Sequence, residues 1–236
     1  TGKSYSIPID THNNELASFL KINEKNQIVA VQGLGFVGTV MSLVVANSDN
    51  GAYSVIGVDQ ATESSYWKIA EINAGICPIV SSDTLVSEYF ENTRQKKNFY
   101  ATHDSMTFSY ADVIIVDINL DVTKVKDGSG NIESYDVPLV GFRKAIESIG
   151  QVCKEDVLIL VETTVPPGTC QKVVYPILVE SLKSRGLSID RFKLGHSYER
   201  VMPGPNYVNS IKNFYRVYSG INEESADAVE KFLKTV

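Results

Sequence analysis

The chain is poor in the residues that would tie it to a metal or to an oxidising compartment. Its three cysteines, Cys77, Cys153 and Cys170, lie far apart in 236 residues with no C-x-x-C pair. That argues against a disulfide framework and reads as free thiols in a reducing cytoplasm. The histidines, His12, His103 and His196, are as scattered, so no zinc-like spacing exists and no metal site is expected. No apolar run approaches the length of a membrane span, and the first residues lack the apolar core of a signal peptide. Basic charge is also short: 22 Lys and Arg stand against 28 Asp and Glu, a net charge of −6. That balance argues against a general partner in nucleic acid or an anionic membrane, although a local basic patch can still hold a phosphorylated ligand.

What remains is ordinary globular composition, 43% hydrophobic and 21% charged, enough for one large domain or two small ones. Its most informative stretch is Val29-Ala30-Val31-Gln32-Gly33-Leu34-Gly35-Phe36-Val37-Gly38. An apolar run breaks into glycines at G-x-G-x-x-G spacing, and a helix-like segment with Met41, Leu43, Val44 and Val45 follows. The first glycine permits the turn out of a strand, the second lets a pyrophosphate approach the backbone, and the third lets the helix pack on the strand. The helix N-terminus then points unpaired N–H groups at the phosphates. A second apolar run, Tyr53 to Val58, ends in Asp59, roughly 20 residues on, where an acid binds the adenosine ribose. That carboxylate would repel a 2′-phosphate and no arginine follows nearby, so NAD is expected over NADP.

Residues 1–26 precede the first strand and read as an N-terminal extension carrying a short helix near Leu16 to Leu20, with Thr11 or Asn13 as its cap. The domain proper is placed at 27–236. Further helices are expected over Glu63–Ala74, after a cap at Ser81 or Ser82, over Val137–Ile149, from about Thr169 with a kink or break at Pro176, and over Glu223–Leu233 capped by Asn222. Further strands are expected at Asn98–Ala101, Ala111–Asp117, Asp156–Glu162, Phe192–Tyr198 and Tyr215–Ser219, with a polar loop from Asn119 to Tyr135. Strands alternating with helices give an α/β fold, a Rossmann-like doubly wound, mostly parallel sheet. Ligands of such sheets sit beyond the carboxyl ends of the strands, so Asp59, Asp117, Thr164 and Glu199 are expected to face one crevice.

Four stretches in order extend the argument: Gly33 to Gly38; Ile72-Asn73-Ala74-Gly75 with Pro78-Ile79; Glu162-Thr163-Thr164-Val165-Pro166-Pro167-Gly168-Thr169; and Ser197-Tyr198-Glu199-Arg200-Val201-Met202-Pro203-Gly204. Together they resemble the N-terminal portion of the UDP-glucose/GDP-mannose dehydrogenase family, and the last is most similar to members acting on UDP-N-acetylhexosamines. The resemblance implies an NAD-dependent, four-electron oxidation of a sugar C6 alcohol to a carboxylate, with a cysteine capturing the intermediate aldehyde. Carried over by position, Gly33, Leu34, Gly35, Phe36, Val37, Gly38, Asp59, Lys68, Asp117 and Thr164 would contact the cofactor. Thr164 would also place the water or hydroxyl near the reacting carbon, and Glu199 would be an acid/base or water-positioning group. On the residues alone, Glu199 fits an ion pair with Arg200, Lys68 a solvated helix charge, and Cys170 either packing or a thiol activated near a helix N-terminus.

The chain departs from the family where Asp117-Ile118-Asn119 stands for the usual Thr-Pro, where Val80-Ser81-Ser82 follows Pro78-Ile79, at Tyr198 in place of a proline, and in a longer segment between Asp59 and Ile72. No Gly-Gly-x-Cys-x-x-Lys-Asp-like motif occurs, and the family's linking helix and substrate domain have no counterpart here. The expectation is therefore a cofactor-binding part of a UDP-sugar dehydrogenase, inactive alone and homo-oligomeric at full length. An NAD-sensing module that performs no chemistry and a 3-hydroxyacid-type dehydrogenase domain are the rival readings; an S-adenosylmethionine methyltransferase would leave Gly38 unexplained.

Overall fold

The computed structural model describes residues 3–8, 14–120, 122–199, 201 and 203–236. The caps expected at Thr11 or Asn13 lie outside them. The strands are β1 (Gln27–Gln32), β2 (Tyr53–Val58), β3 (Phe99–Thr102), β4 (Val113–Val116), β5 (Thr123–Lys126), β6 (Ile132–Asp136), β7 (Leu158–Val161), β8 (Lys193–His196) and β9 (Ser219–Gly220). The helices are α1 (Asn14–Ile22), α2 (Phe36–Ala46), α3 (Tyr66–Asn73), α4 (Thr84–Lys96), α5 (Val140–Gly150), α6 (Tyr175–Ser184), α7 (Tyr207–Asn213) and α8 (Glu223–Leu233).

The runs Val113–Val116 and Leu158–Val161 are buried along their whole length, as β-branched and leucine-rich strands covered on both faces must be. They sit inside a 7-stranded sheet of order β3-β2-β1-β4-β7-β8-β9, parallel except for β9 against β8. The strand order reverses between β1 and β4, and there the crossovers pass to opposite faces and leave a crevice at the strand ends. One face is covered by α2, α3, α4, α7 and α8, through residues such as Met41, Phe90, Ile211 and Phe232. The other is covered by α1, α5 and α6, through Phe19, Phe142, Ile146 and Leu178. Each such aliphatic or aromatic side chain contributes about 1.5–3 kcal/mol by leaving water.

Several elements depart from the sequence expectations for local reasons. The stretch Asn119 to Tyr135 is no plain loop: β5 and β6 form an exposed antiparallel hairpin turned by Asp127, whose carboxylate accepts from the backbone N–H of Ser129 and Asn131, each at 2.8 Å. The last strand is only Ser219–Gly220, because the residues before it form no ladder. The cap of α4 is Asp83 rather than Ser81 or Ser82; Ser81 instead accepts from the Asp83 N–H. The break expected at Pro176 is a π-turn, Cys170–Val174, in which the Tyr175 N–H reaches back to the Cys170 carbonyl. Pro176 then lies in the first turn of α6, where its missing N–H leaves no bond unmade. The helix α7 and a 3₁₀ turn at Ser105–Tyr110 have no counterpart in the sequence reading. Asn222 does cap α8, accepting from the Ser225 N–H.

The residues before β1 pack on α3 and β3. Phe19 of α1 is buried against the Tyr100 ring at 5.7 Å, and Tyr5 donates to Glu71 at 2.8 Å. Asn73, in the Ile72–Gly75 stretch, holds α3 to β3 through paired bonds with the Ala101 backbone at 2.8 and 2.9 Å.

Asp83 joins two helices: one carboxylate oxygen caps α4 at Leu85 N–H (3.0 Å), and the other accepts from Val208 N–H of α7 (2.9 Å). Asp83→Ala removes a cap and leaves a buried N–H unpaired, so it is expected to lower stability by about 2–3 kcal/mol, measured by urea denaturation.

Candidate functional site

The turn from β1 into α2 is built so that its backbone is bare. Gly33 has φ +104°, and a Cβ there would meet the Asp117 carbonyl oxygen at 2.1 Å. A Cβ on Gly38 would meet the Gly33 carbonyl oxygen at 2.0 Å. Both positions therefore demand glycine for close approach. Gly35 differs, since a Cβ there would meet nothing within 4 Å. It is the N-cap of α2, no side chain caps that helix end, and the open space lies over N–H groups that an anion can take up.

The crevice at this end of the sheet, about 250 Å³, is lined by Gly35 to Gly38, Asp117 to Leu120, Glu162 to Thr164, Glu199 and Val201. Thr163 shapes its wall by joining β4 and β7 past their ends: its hydroxyl accepts from Ile118 N–H (2.8 Å) and donates to the Val116 carbonyl (3.2 Å). That stitch sets Asp117 on one side and leaves Thr164 exposed toward the opening. Of the four residues expected to share one crevice, Asp117, Thr164 and Glu199 do so. Asp59 does not line it, because the glycine turn stands between them. Its carboxylate accepts from Leu34 N–H at 3.2 Å and forms an ion pair with Lys68. Lys68 is thus no freely solvated charge; it braces the acid that the sequence assigns to the ribose. Leu34 is fully buried, whereas Phe36 is exposed at the mouth of the turn.

Charge at the crevice floor centres on residues that the sequence reading did not single out. Glu162 has no exposed side-chain surface and pairs with Arg216 at 2.6 Å. Arg216 also approaches Glu199, at 3.7 Å, and Glu199 accepts from Val201 N–H at 2.9 Å. Burial raises the Glu162 carboxyl above its ordinary range, and Arg216 opposes that shift. Asp117 is raised well above the carboxylate range, first by burial and then by the charges of Glu162 and Glu199, against Arg216. The signal for Arg216 was an arginine set between exposed Tyr215 and Val217, a charge turned inward where its apolar neighbours face out. Arg200, the alternative partner of Glu199, lies outside the described residues.

Cys170 shows no activation. Burial pushes its thiol up to about 11, which fits the packing reading rather than activation at a helix start. Cys77, Cys153 and Cys170 are free thiols. Among the described residues no group of three or more His, Cys, Asp or Glu is arranged to hold a metal, and no helix is long and apolar enough to cross a membrane.

Because Glu162 cannot reach water, removing its cation strands a buried charge. Arg216→Leu is expected to cost about 3–5 kcal/mol in urea denaturation, and adding Glu162→Gln in the same chain should recover most of that loss.

Comparison with known proteins agrees with this fold. A crystal structure of NDP-N-acetyl-D-galactosaminuronic acid dehydrogenase from Methanosarcina mazei Go1 superposes with a TM-score of 0.78 at 24% identity, covering 94% of this chain and 44% of that one. A UDP-N-acetyl-D-mannosamine dehydrogenase from Pyrococcus horikoshii is 27% identical over 207 residues, 88% of this chain and 44% of the relative. A UDP-N-acetyl-D-glucosamine 6-dehydrogenase from Pseudomonas aeruginosa is 28% identical over 215 residues, 90% of this chain and 44% of the relative. The chain thus spans under half the length of the curated relatives it matches. The model of the UDP-glucose/GDP-mannose dehydrogenase family, NAD binding domain, matches residues 27–236, and the chain belongs to that family.

Proposed function

We propose that this chain is the cofactor-binding part of an NAD-dependent nucleotide-sugar 6-dehydrogenase that oxidises the C6 alcohol of a UDP-N-acetylhexosamine to a uronate. The carrying observation is that Thr164 and Glu199 share one crevice with the bare glycine turn, at the switch point of the sheet. The names of the relatives, dehydrogenases of UDP-N-acetyl-D-mannosamine and UDP-N-acetyl-D-glucosamine, support the sugar class.

The residues present fit the cofactor. The N–H groups at the start of α2 take the pyrophosphate, Gly35 keeps a side chain out of its way, Gly33 and Gly38 let the turn pack against the end of β4, and Asp59 accepts from the ribose hydroxyls while Lys68 holds it in place. Bound NAD supplies a hydride acceptor. Thr164, exposed at the mouth, has a hydroxyl suited to orienting the substrate alcohol or a water. Glu199, its side chain 10% exposed and held by Arg216 and Val201 N–H, can take the alcohol proton or orient water. In this reading residues 1–26 are an extension packed on the domain, and the substrate-binding part and the cysteine that captures the aldehyde belong to the remaining length of such enzymes. The full enzyme is then a homo-oligomer, and the free thiols fit a reducing cytoplasm.

Calorimetric titration of this chain is expected to show NAD binding about tenfold or more tighter than NADP, since Asp59 repels a 2′-phosphate. Equal affinities would overturn the role of Asp59. In the full-length enzyme Glu199→Gln should lower kcat about 10²–10⁴-fold with NAD affinity nearly unchanged. An unaltered kcat, or no turnover of UDP-N-acetylhexosamines by the unmutated enzyme, would favour an NAD sensor instead.

A further inference from the structure

The surroundings of Asp117 are unusual for a carboxylate. It follows β4 at the switch point, with its backbone carbonyl against Gly33 and its carboxyl beneath α2: a Cβ on Gly38 would lie 3.3 Å from Oδ2. That oxygen is buried and has no hydrogen-bond partner among the described residues. The nearby cation, Arg216, is already engaged with Glu162 and Glu199.

The titratable groups facing Asp117 come from the residues beside β7, β8 and β9 and from α7. Glu162 follows β7, Glu199 follows β8, Arg216 precedes β9, and Tyr207 of α7 presents a buried hydroxyl that is also without a partner among the described residues. The helix α2 and the strand β1 contribute no charged side chain. Among the described residues three carboxyl groups therefore approach one guanidinium, in the crevice whose rim is built for an anion.

We propose that Asp117 meets the cofactor as a neutral acid, and that NAD binding is coupled to uptake of one proton at this carboxyl. The proposal rests on the reading of this crevice as the NAD site. Glu162 and Glu199 are both paired with Arg216, and Asp117 is the member for which neutrality relieves both burial and repulsion. Burial and the two neighbouring carboxylates push its titration in that direction, and Arg216 only partly offsets them. A bound pyrophosphate adds negative charge beside the group and raises its proton affinity again. Protonated Oδ2 is then a donor at the inner end of the crevice, in place of an unpaired buried acceptor.

The sign follows from linkage. Affinity for NAD is highest where Asp117 is protonated in the free chain. It falls as pH rises between the free and liganded titrations, by up to about tenfold per pH unit, with one proton drawn from the buffer. Calorimetry of NAD binding to this chain, from mildly acidic to mildly alkaline pH in two buffers of different ionisation enthalpy, tests this. The expected result is a falling affinity with a buffer-dependent enthalpy. Asp117→Asn, uncharged and of the same shape, should bind NAD with neither the fall nor the buffer dependence. Binding that is flat with pH and free of proton uptake in the unmutated chain would overturn the coupling while leaving the NAD site standing. The same slope and uptake in Asp117→Asn would assign the proton elsewhere and overturn the proposal. No NAD binding at any pH would overturn both the site and the coupling.

Discussion

The structure depends on a steric contact at the centre of the sheet. The turn after β1 passes so close to the end of β4 that Gly33 leaves no room for a side chain against the Asp117 carbonyl, and Gly38 none against Gly33. From this contact follow the placement of α2 over the strands, the open N–H groups at its start, and the position of Asp117 beneath it. The 3-2-1-4 part of the strand order puts β1 and β4 side by side, and the parallel pairing of Gln32 with Val116 aligns their ends. A bulkier turn would push the helix off the sheet, removing the crevice and the anion site together.

Around that contact the polar groups are ordered by how far each lies from water. Asp59 and Lys68 form a pair beyond the glycine turn, which orients the acid beside Leu34 N–H. Glu162 and Arg216 form a buried pair, whose worth lies less in net stability than in holding Glu199 and the end of β8 near β7. Thr163 is the neutral member, bonding two strand ends whose ladder has stopped. Glu162, Glu199 and Arg216 are close enough to Asp117 that a change in the charge of one is felt by the others.

The hairpin β5–β6 lies outside the core. It leaves the sheet immediately after the crevice residues Ile118 to Leu120 and returns before α5, with all its strand residues exposed. The strand order of the main sheet passes directly from β4 to β7 as though the hairpin were absent. Asp127 supplies enough local bonding to turn it, which is why a polar, glycine-containing stretch that reads as a loop is a ladder instead.

What the sequence determined by itself was set by short-range rules. Glycine spacing and strand-end acids specified the doubly wound fold and a dinucleotide site, and Asn222 specified a helix start, because each acts on its own neighbours in the chain. Burial of β4 and β7 was equally legible from their unbroken apolar runs. Only the tertiary structure decided which strand-end groups meet. It drew Asp117, Thr164 and Glu199 together, set Asp59 behind the glycine turn, and brought Arg216 to Glu162 across 54 positions of chain. The raised titration of Asp117 belongs to the same class. Periodicity tells which way a side chain faces, but the charge a carboxyl carries depends on neighbours that arrive from other strands, and those arrive only when the sheet closes.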